Sequence, residues 1–161
     1  MRKWWAGSNM IRDLGFQQSL GRMSGIESKV TGDAVRDYKL LSELREELQK
    51  SEQHYALLRE KANLGLSYLL LFHPSPLVRH EAAFIIGEYG KPCSFLRFVA
   101  FLDEDATVRH EATLAMSTAS QKTYIARKRW MLEYIAKNDK SEMVRDTALV
   151  SLDTIKAYVQ R

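Results

Sequence analysis

The sequence predicts an all-α protein: a short α-solenoid of about three stacked helix pairs behind an N-terminal helical extension. The main observation is an internal repeat, in which Leu77–Ala82 (LVRHEA) returns thirty residues later as Thr107–Ala112 (TVRHEA). A weaker copy follows at Met143–Ala148 (MVRDTA). Similarity at a period of roughly 20–50 residues is typical of solenoids, whose repeats bury their apolar faces against each other.

Length and charge agree with this fold class. A chain of 161 residues with 45% hydrophobic and 27% charged residues has the size and composition of one globular domain. The net charge of +4 comes mostly from residues 1–32, where five basic residues face only Asp13 and Glu27. Because the repeats are nearly neutral, we do not expect them to bind nucleic acid.

Cysteine content and hydropathy favour a cytoplasmic protein. The single Cys93 cannot form a disulfide within the chain, which suits a reducing compartment. No apolar run approaches the ~20 residues that span a bilayer, so we expect no transmembrane segment. The basic start Met1–Trp5 is not followed by the apolar stretch of a secretory signal.

The N-terminal third divides into two parts. Residues 1–32 form a basic arm that contains five of the eight glycines, with a short amphipathic helix around Asn9–Met23. Asp33 is a candidate N-cap for the helical extension, residues 33–53. The leucines that follow keep a seven-residue register, so residues 33–72 form either one long helix or a hairpin turning near Gln49–Gln53. The leucine stripe packs either on the chain's own repeats or in a homodimer through this N-terminal helical region.

Residues 54–161 hold the repeats, at 54–90, 91–120 and 121–161. Each repeat is expected to be two antiparallel helices joined by a tight turn. The inner helices begin at about Leu77, Ala106 and Glu142, and the residues before them suit N-capping. The predicted turns are His73–Pro76, Asp103–Asp105 and Asn138–Ser141.

A helical wheel separates the inner helices into two faces. Val78, Ala82 and Ile85 lie on a buried stripe, while His80 and Glu81 lie on the opposite, solvent-facing arc. Such arcs form a continuous concave binding surface when repeats stack. The predicted binding residues are His80, Glu81, Phe84, His110, Glu111, Leu114, Asp146 and Val150, with Thr147 on the same arc.

The remaining charged positions of the repeats suggest structural roles. We expect the stacked Arg79, Arg109 and Arg145 to pair with acids of the turns, such as Asp103 or Asp105. Two other histidines, His54 and His73, are predicted to be surface residues.

The repeated segment also resembles a known family. Val78–Gly87 (VRHEAAFIIG) is similar to the HEAT-like repeats of the phycobilisome-lyase type, which implies the fold but not one function. The second copy lacks the final glycine, and the third keeps only Val144, Arg145 and Ala148. Among such proteins, deoxyhypusine hydroxylase has His-Glu dyads in consecutive repeats that bind a di-iron centre. That resemblance implies His80, Glu81, His110 and Glu111 as iron ligands, and it implies a homodimer, because this chain has two dyads where the enzyme has four.

These observations favour a protein-binding or scaffold module rather than an enzyme, with no cofactor. Its concave face would hold a protein or peptide partner, and the acidic residues of that face favour a basic segment. The alternative is a dimeric di-iron oxygenase resembling deoxyhypusine hydroxylase, with iron as its cofactor. A second alternative, which the lyase resemblance implies, is a bilin-handling protein.

Overall fold

The computed structural model describes residues 25–50, 56–89, 94–118 and 125–159 of the chain. These residues form a 3-10 turn at Glu27–Lys29 and seven α-helices, with no strand among them. The predicted all-α class is therefore confirmed. Within these ranges no helix is both long and apolar enough to cross a membrane. The helices are α1 (Ala34–Lys50), α2 (Ala56–Phe72), α3 (Pro76–Glu88), α4 (Ser94–Leu102), α5 (Ala106–Thr118), α6 (Ile125–Asn138) and α7 (Glu142–Val159).

Three consecutive helix pairs build the body of the protein. Helix α2 packs on α3, α4 on α5 and α6 on α7, and the second helices also stack, α3 on α5 and α5 on α7. The repeated segment fills the interface between them, since Val78, Val108 and Val144 are completely buried. The alanines four positions further on are equally buried. The period seen in the sequence is therefore the period of the core.

Helices α1 and α2 form a hairpin rather than one long helix. They run antiparallel, because Leu44 lies beside Gly65 while the earlier Asp37 contacts the later His73. A Cβ atom at Gly65 would lie 3.3 Å from side-chain atoms of both Leu44 and Ile26, so glycine permits this close approach. The leucine stripe is buried within the chain, at Leu40, Leu41, Leu44 and Leu48. A homodimer through this region stays a prediction.

A buried polar network ties the segment before α1 to the first repeat. The Asp37 carboxylate accepts hydrogen bonds from the backbone N–H groups of Thr31 and Gly32, and it contacts His73 Nε2 at 2.9 Å. The N–H of Ser75 donates to His73 Nδ1. The prediction that His73 is a surface residue is wrong, because its partner lies 36 positions away in the sequence, where no local pattern reveals it.

The inner helices begin where the sequence predicts, except that α3 begins one residue earlier. Asp33 caps α1 by accepting the Arg36 N–H at 2.9 Å, and Asp105 caps α5 by accepting the Thr107 N–H at 2.8 Å. Ser75 makes no such bond, and Pro76 is the first residue of α3 rather than part of the turn. Proline suits that position, because its fixed φ angle is helical and it has no N–H to leave unpaired.

Buried arginines join each helix pair to the next. Arg79 donates two hydrogen bonds to Asp103, at 2.8 and 3.0 Å, and Arg109 donates two to Asp139, both at 2.9 Å. Each arginine also donates to two backbone carbonyls of its own turn. Arg145 donates to the carbonyl of Asp139 instead of a carboxylate. The expected arginine–acid pairs are confirmed for Arg79 and Arg109, and they fix how the inner helices are rotated.

Several sequence-based predictions lie outside the described residues. These are the helix around Asn9–Met23 and the surface position of His54. The predicted boundaries of the three repeats stay a prediction, although the helix pairs follow their order.

Candidate functional site

One member of each His-Glu dyad approaches the other dyad across neighbouring repeats. His80 and Glu81 lie on α3, and His110 and Glu111 occupy the equivalent positions on α5, each directly after a buried arginine. Because the arginines make equivalent bonds, the two dyads occupy equivalent faces of α3 and α5. His80 Nε2 lies 3.5 Å from Glu111 Oε2. The histidine of one repeat thus meets the carboxylate of the next.

Glu111 is the most buried member of the site, with 7% of its surface exposed. The prediction that it faces solvent is wrong, because α5 is flanked by α3 on one side and α7 on the other. Burial raises the pKa of Glu111 above its usual value. His80 and His110 oppose that rise, whereas the charges of Glu81 and Glu88 add to it. Burial and two neighbouring acids thus disfavour the charged form of this carboxylate, which a bound cation would stabilise.

His110 is held from the third repeat. Its Nδ1 atom lies 2.6 Å from the hydroxyl of Thr147 on α7. Thr147 was predicted to lie on the solvent-facing arc, but it is buried against α5. The third repeat lacks a dyad, yet it supplies the residue that orients the second dyad's histidine.

Glu81 lies beside Tyr38 of α1. Burial, followed by the negative charge and hydrogen-bonding contact of Glu81, raises the pKa of the Tyr38 hydroxyl. Arg45, which lies about two helical turns further along α1, donates to Tyr89 at 2.9 Å. Sequence reasoning missed Tyr38, because nothing in the local pattern of α1 indicates a partner 43 residues away on α3.

The other predicted binding residues do not share one environment. Phe84 is half-buried and packs against the core. Leu114 and Val150 are 36% and 63% exposed, and Asp146 is also exposed. The predicted concave surface is therefore uneven: Glu111 is buried and Phe84 half-buried, whereas Asp146 and Val150 of the third repeat are exposed. Its use as a partner-binding surface stays a prediction.

The donor set fits a transition metal, although it is incomplete. Two imidazoles and a buried carboxylate are ligands that suit iron and similar ions. Glu111 is also a buried acid whose nearest ionic contact is a 3.5 Å approach to His80, which a metal ion would compensate. Within the part of the chain that the structure describes, no three His, Cys, Asp or Glu side chains already form a group able to hold a metal. A metal site would therefore need further ligands.

Three curated proteins are similar to this chain, and each is named deoxyhypusine hydroxylase. The protein of Neurospora crassa is 33% identical over 82 residues, which is 49% of this chain and 24% of that protein. The protein of Eremothecium gossypii is 37% identical over 84 residues, 50% of this chain and 24% of the relative. The protein of Phaeosphaeria nodorum is 32% identical over 83 residues, with 50% and 24% covered.

The chain thus aligns with about a quarter of the length of these relatives. No protein-family profile matches the chain. No solved structure matches it either. The similarity supports the hydroxylase-like alternative better than the scaffold interpretation, and the expectation that the protein has no cofactor finds no support in it.

Proposed function

We propose that this chain binds iron through its two dyads and forms half of an oxygenase centre similar to that of deoxyhypusine hydroxylase. The observation that carries the proposal is the approach of His80 to Glu111 across two repeats, at 3.5 Å. It brings the histidine of one dyad close to the carboxylate of the other. The three similar proteins, all named as hydroxylases, support the same chemistry.

The residues divide the work according to their surroundings. His80 on α3 approaches Glu111 on α5, and His110 directly precedes Glu111; these three residues would hold the metal. Glu81 is held towards α1 by Tyr38, so in this proposal it contributes at the outer edge of the site. Bound ferrous iron would supply activation of molecular oxygen for hydroxylation.

A second copy of the chain would complete the centre. One copy offers two dyads, and its described residues assemble no group of three ligands by themselves. In a symmetric dimer the same face of each copy would meet at the two-fold axis, which brings four dyads together. The negative charge of Glu81, Glu88 and Glu111 favours a cationic group on the substrate.

Metal content of the purified protein tests the proposal. We expect protein reconstituted anaerobically with ferrous iron to retain close to stoichiometric metal after desalting, and we expect His80→Ala and His110→Ala to lose most of it. Asp153→Asn is the matched control, since Asp153 is an exposed carboxylate on α7 that pairs only with the nearby Lys156. The proposal is wrong if the reconstituted wild-type protein retains no iron, or if both histidine variants retain as much iron as the wild type.

The scaffold interpretation remains the second candidate. It is favoured by the exposed apolar side chains of Leu114 and Val150 beside the exposed Asp146. A basic peptide that binds the wild type but not Val150→Asp would support it. The bilin-handling alternative stays a prediction that no finding tests.

A further inference from the structure

Thr147 forms two hydrogen bonds, but it has only one proton to donate. Its hydroxyl lies 2.7 Å from the backbone carbonyl of Met143, one turn earlier on α7. The same oxygen lies 2.6 Å from Nδ1 of His110. A carbonyl oxygen can only accept, so the Thr147 proton goes to Met143. The bond to His110 must then run the other way, with the imidazole donating.

This arrangement fixes the tautomer of His110. If Nδ1 donates to Thr147, the ring proton of the neutral imidazole resides on Nδ1 and Nε2 keeps its free electron pair. In the described part of the chain no residue hydrogen bonds to His110 Nε2. The opposite tautomer would place two lone pairs against each other at 2.6 Å, or would leave the Met143 carbonyl facing an unprotonated hydroxyl oxygen at 2.7 Å.

The position of Thr147 in the repeat explains why it can do this. It occupies the place in the third repeat that Glu81 and Glu111 occupy in the first two. Like Glu111, it is buried where its helix packs on the preceding inner helix. Each inner helix therefore presents its residue at this position to the histidine of the repeat before: Glu111 to His80, and Thr147 to His110.

We infer that Thr147 is a positioning residue that holds His110 as the Nδ1–H tautomer and presents Nε2 as its ligand atom. The tautomer follows from the hydrogen bonds alone, whereas the use of Nε2 as a metal ligand rests on the proposed function. Partners that fix the tautomer of a histidine typically change metal affinity by about 10–100-fold.

Nitrogen NMR of the metal-free protein tests the tautomer directly. Long-range ¹⁵N–¹H spectra of the imidazole rings, recorded at a pH where imidazole is ordinarily neutral, distinguish a protonated Nδ1 from a protonated Nε2. We expect His110 to carry its proton on Nδ1. His73 is an internal reference of the opposite kind, because the Ser75 N–H donates to its Nδ1 and its proton must lie on Nε2. A His110 signal of the His73 type overturns the inference.

Three threonine variants test whether Thr147 is the cause. Thr147→Val keeps the shape but removes the hydroxyl, so we expect His110 to move towards the Nε2–H tautomer, and Thr147→Ser to restore the wild-type spectrum. Thr113→Val is the matched control, because buried Thr113 makes the same backbone bond, to the Arg109 carbonyl at 2.7 Å, but forms no hydrogen bond to a histidine in the described residues. An unchanged His110 spectrum in Thr147→Val contradicts the inference.

Metal titration then separates the two proposals. We expect Thr147→Val to bind ferrous iron about 10–100-fold more weakly than wild type, with Thr147→Ser close to wild type. An Nδ1–H tautomer in a wild-type protein that binds no iron refutes the proposed function and leaves the positioning role of Thr147 supported. Unchanged affinity in Thr147→Val, in a protein that does bind iron, refutes that role for the metal.

Discussion

Neighbouring charged residues of the inner helices differ in how well the fold pairs them. Arg79 and Arg109 are buried, and each donates four hydrogen bonds, two to a carboxylate and two to carbonyls. Two positions after Arg109, Glu111 is equally buried, but its ionic contact is a 3.5 Å approach to His80. The chain itself pairs the charges of both arginines, whereas it pairs the Glu111 carboxylate only weakly. A buried charge that the fold leaves poorly compensated is typical of a functional site.

The largest expected effect concerns the arginines, whose charges are fully paired. Arg109→Ala leaves the buried Asp139 without its partner, so we expect a loss of about 3–5 kcal/mol in the free energy of unfolding. Chemical denaturation measures it. The surface pair Lys156–Asp153 is the control, and its disruption should cost less than about 1 kcal/mol. A similarly small loss in Arg109→Ala would show that the arginines do not hold the repeats together.

The next effect concerns the network that ties α1 to the first repeat. Asp37→Asn removes a charge that accepts bonds from Thr31, Gly32 and His73, so we expect a loss of about 1.5–3 kcal/mol. Asp33→Asn, an exposed cap of the same helix, should change stability far less, since asparagine also caps. Equal losses in the two variants would contradict the assignment.

Stability at acid pH tests the pairing of Asp139 with Arg109 in a second way. Burial alone would raise the pKa of Asp139, but hydrogen bonds from Arg109 and the Ser141 N–H, with the Arg109 charge, lower it below its usual value. A lowered folded-state pKa contributes stability above the unfolded pKa of about 3.9, and this is lost as pH falls through the folded value. Wild type should therefore lose more stability than Asp139→Asn between about pH 4 and pH 2. Parallel stability curves would rule out this contribution.

The smallest effect has the opposite sign and sharpens the comparison most. Glu111→Gln removes the poorly compensated charge, so we expect the metal-free protein to gain about 1 kcal/mol in unfolding free energy. The exposed Glu43→Gln should leave stability unchanged. A stability gain together with lost iron binding is the signature of a residue kept for function. Marked destabilisation by Glu111→Gln would place Glu111 with the structural charges.

The sequence carries the repeat but not the contacts across it. The period of Val78 and Val108 predicts the stacked helices, and the turn acids predict the arginine pairs, because both follow from local pattern and equal spacing. A wheel drawn for one helix cannot show that α3 and α7 cover both sides of Glu111. His73 and Tyr38 acquire partners on distant helices, so their roles emerge only once the chain is folded.

The arginine bonds also give the array a direction. Arg79 pairs with an acid in the turn of the second repeat and Arg109 with one in the turn of the third, and in the described residues neither arginine forms an ion pair with an acid of an earlier turn. In the described residues Arg145 has the backbone bond to its own turn but no acid ahead of it. The arginine–acid pairs therefore run in one direction along the stack, from α3 towards α7. A designed repeat placed after α7 could therefore join the stack if its turn carried an aspartate to pair with Arg145. A repeat placed before α1 would need a different kind of contact.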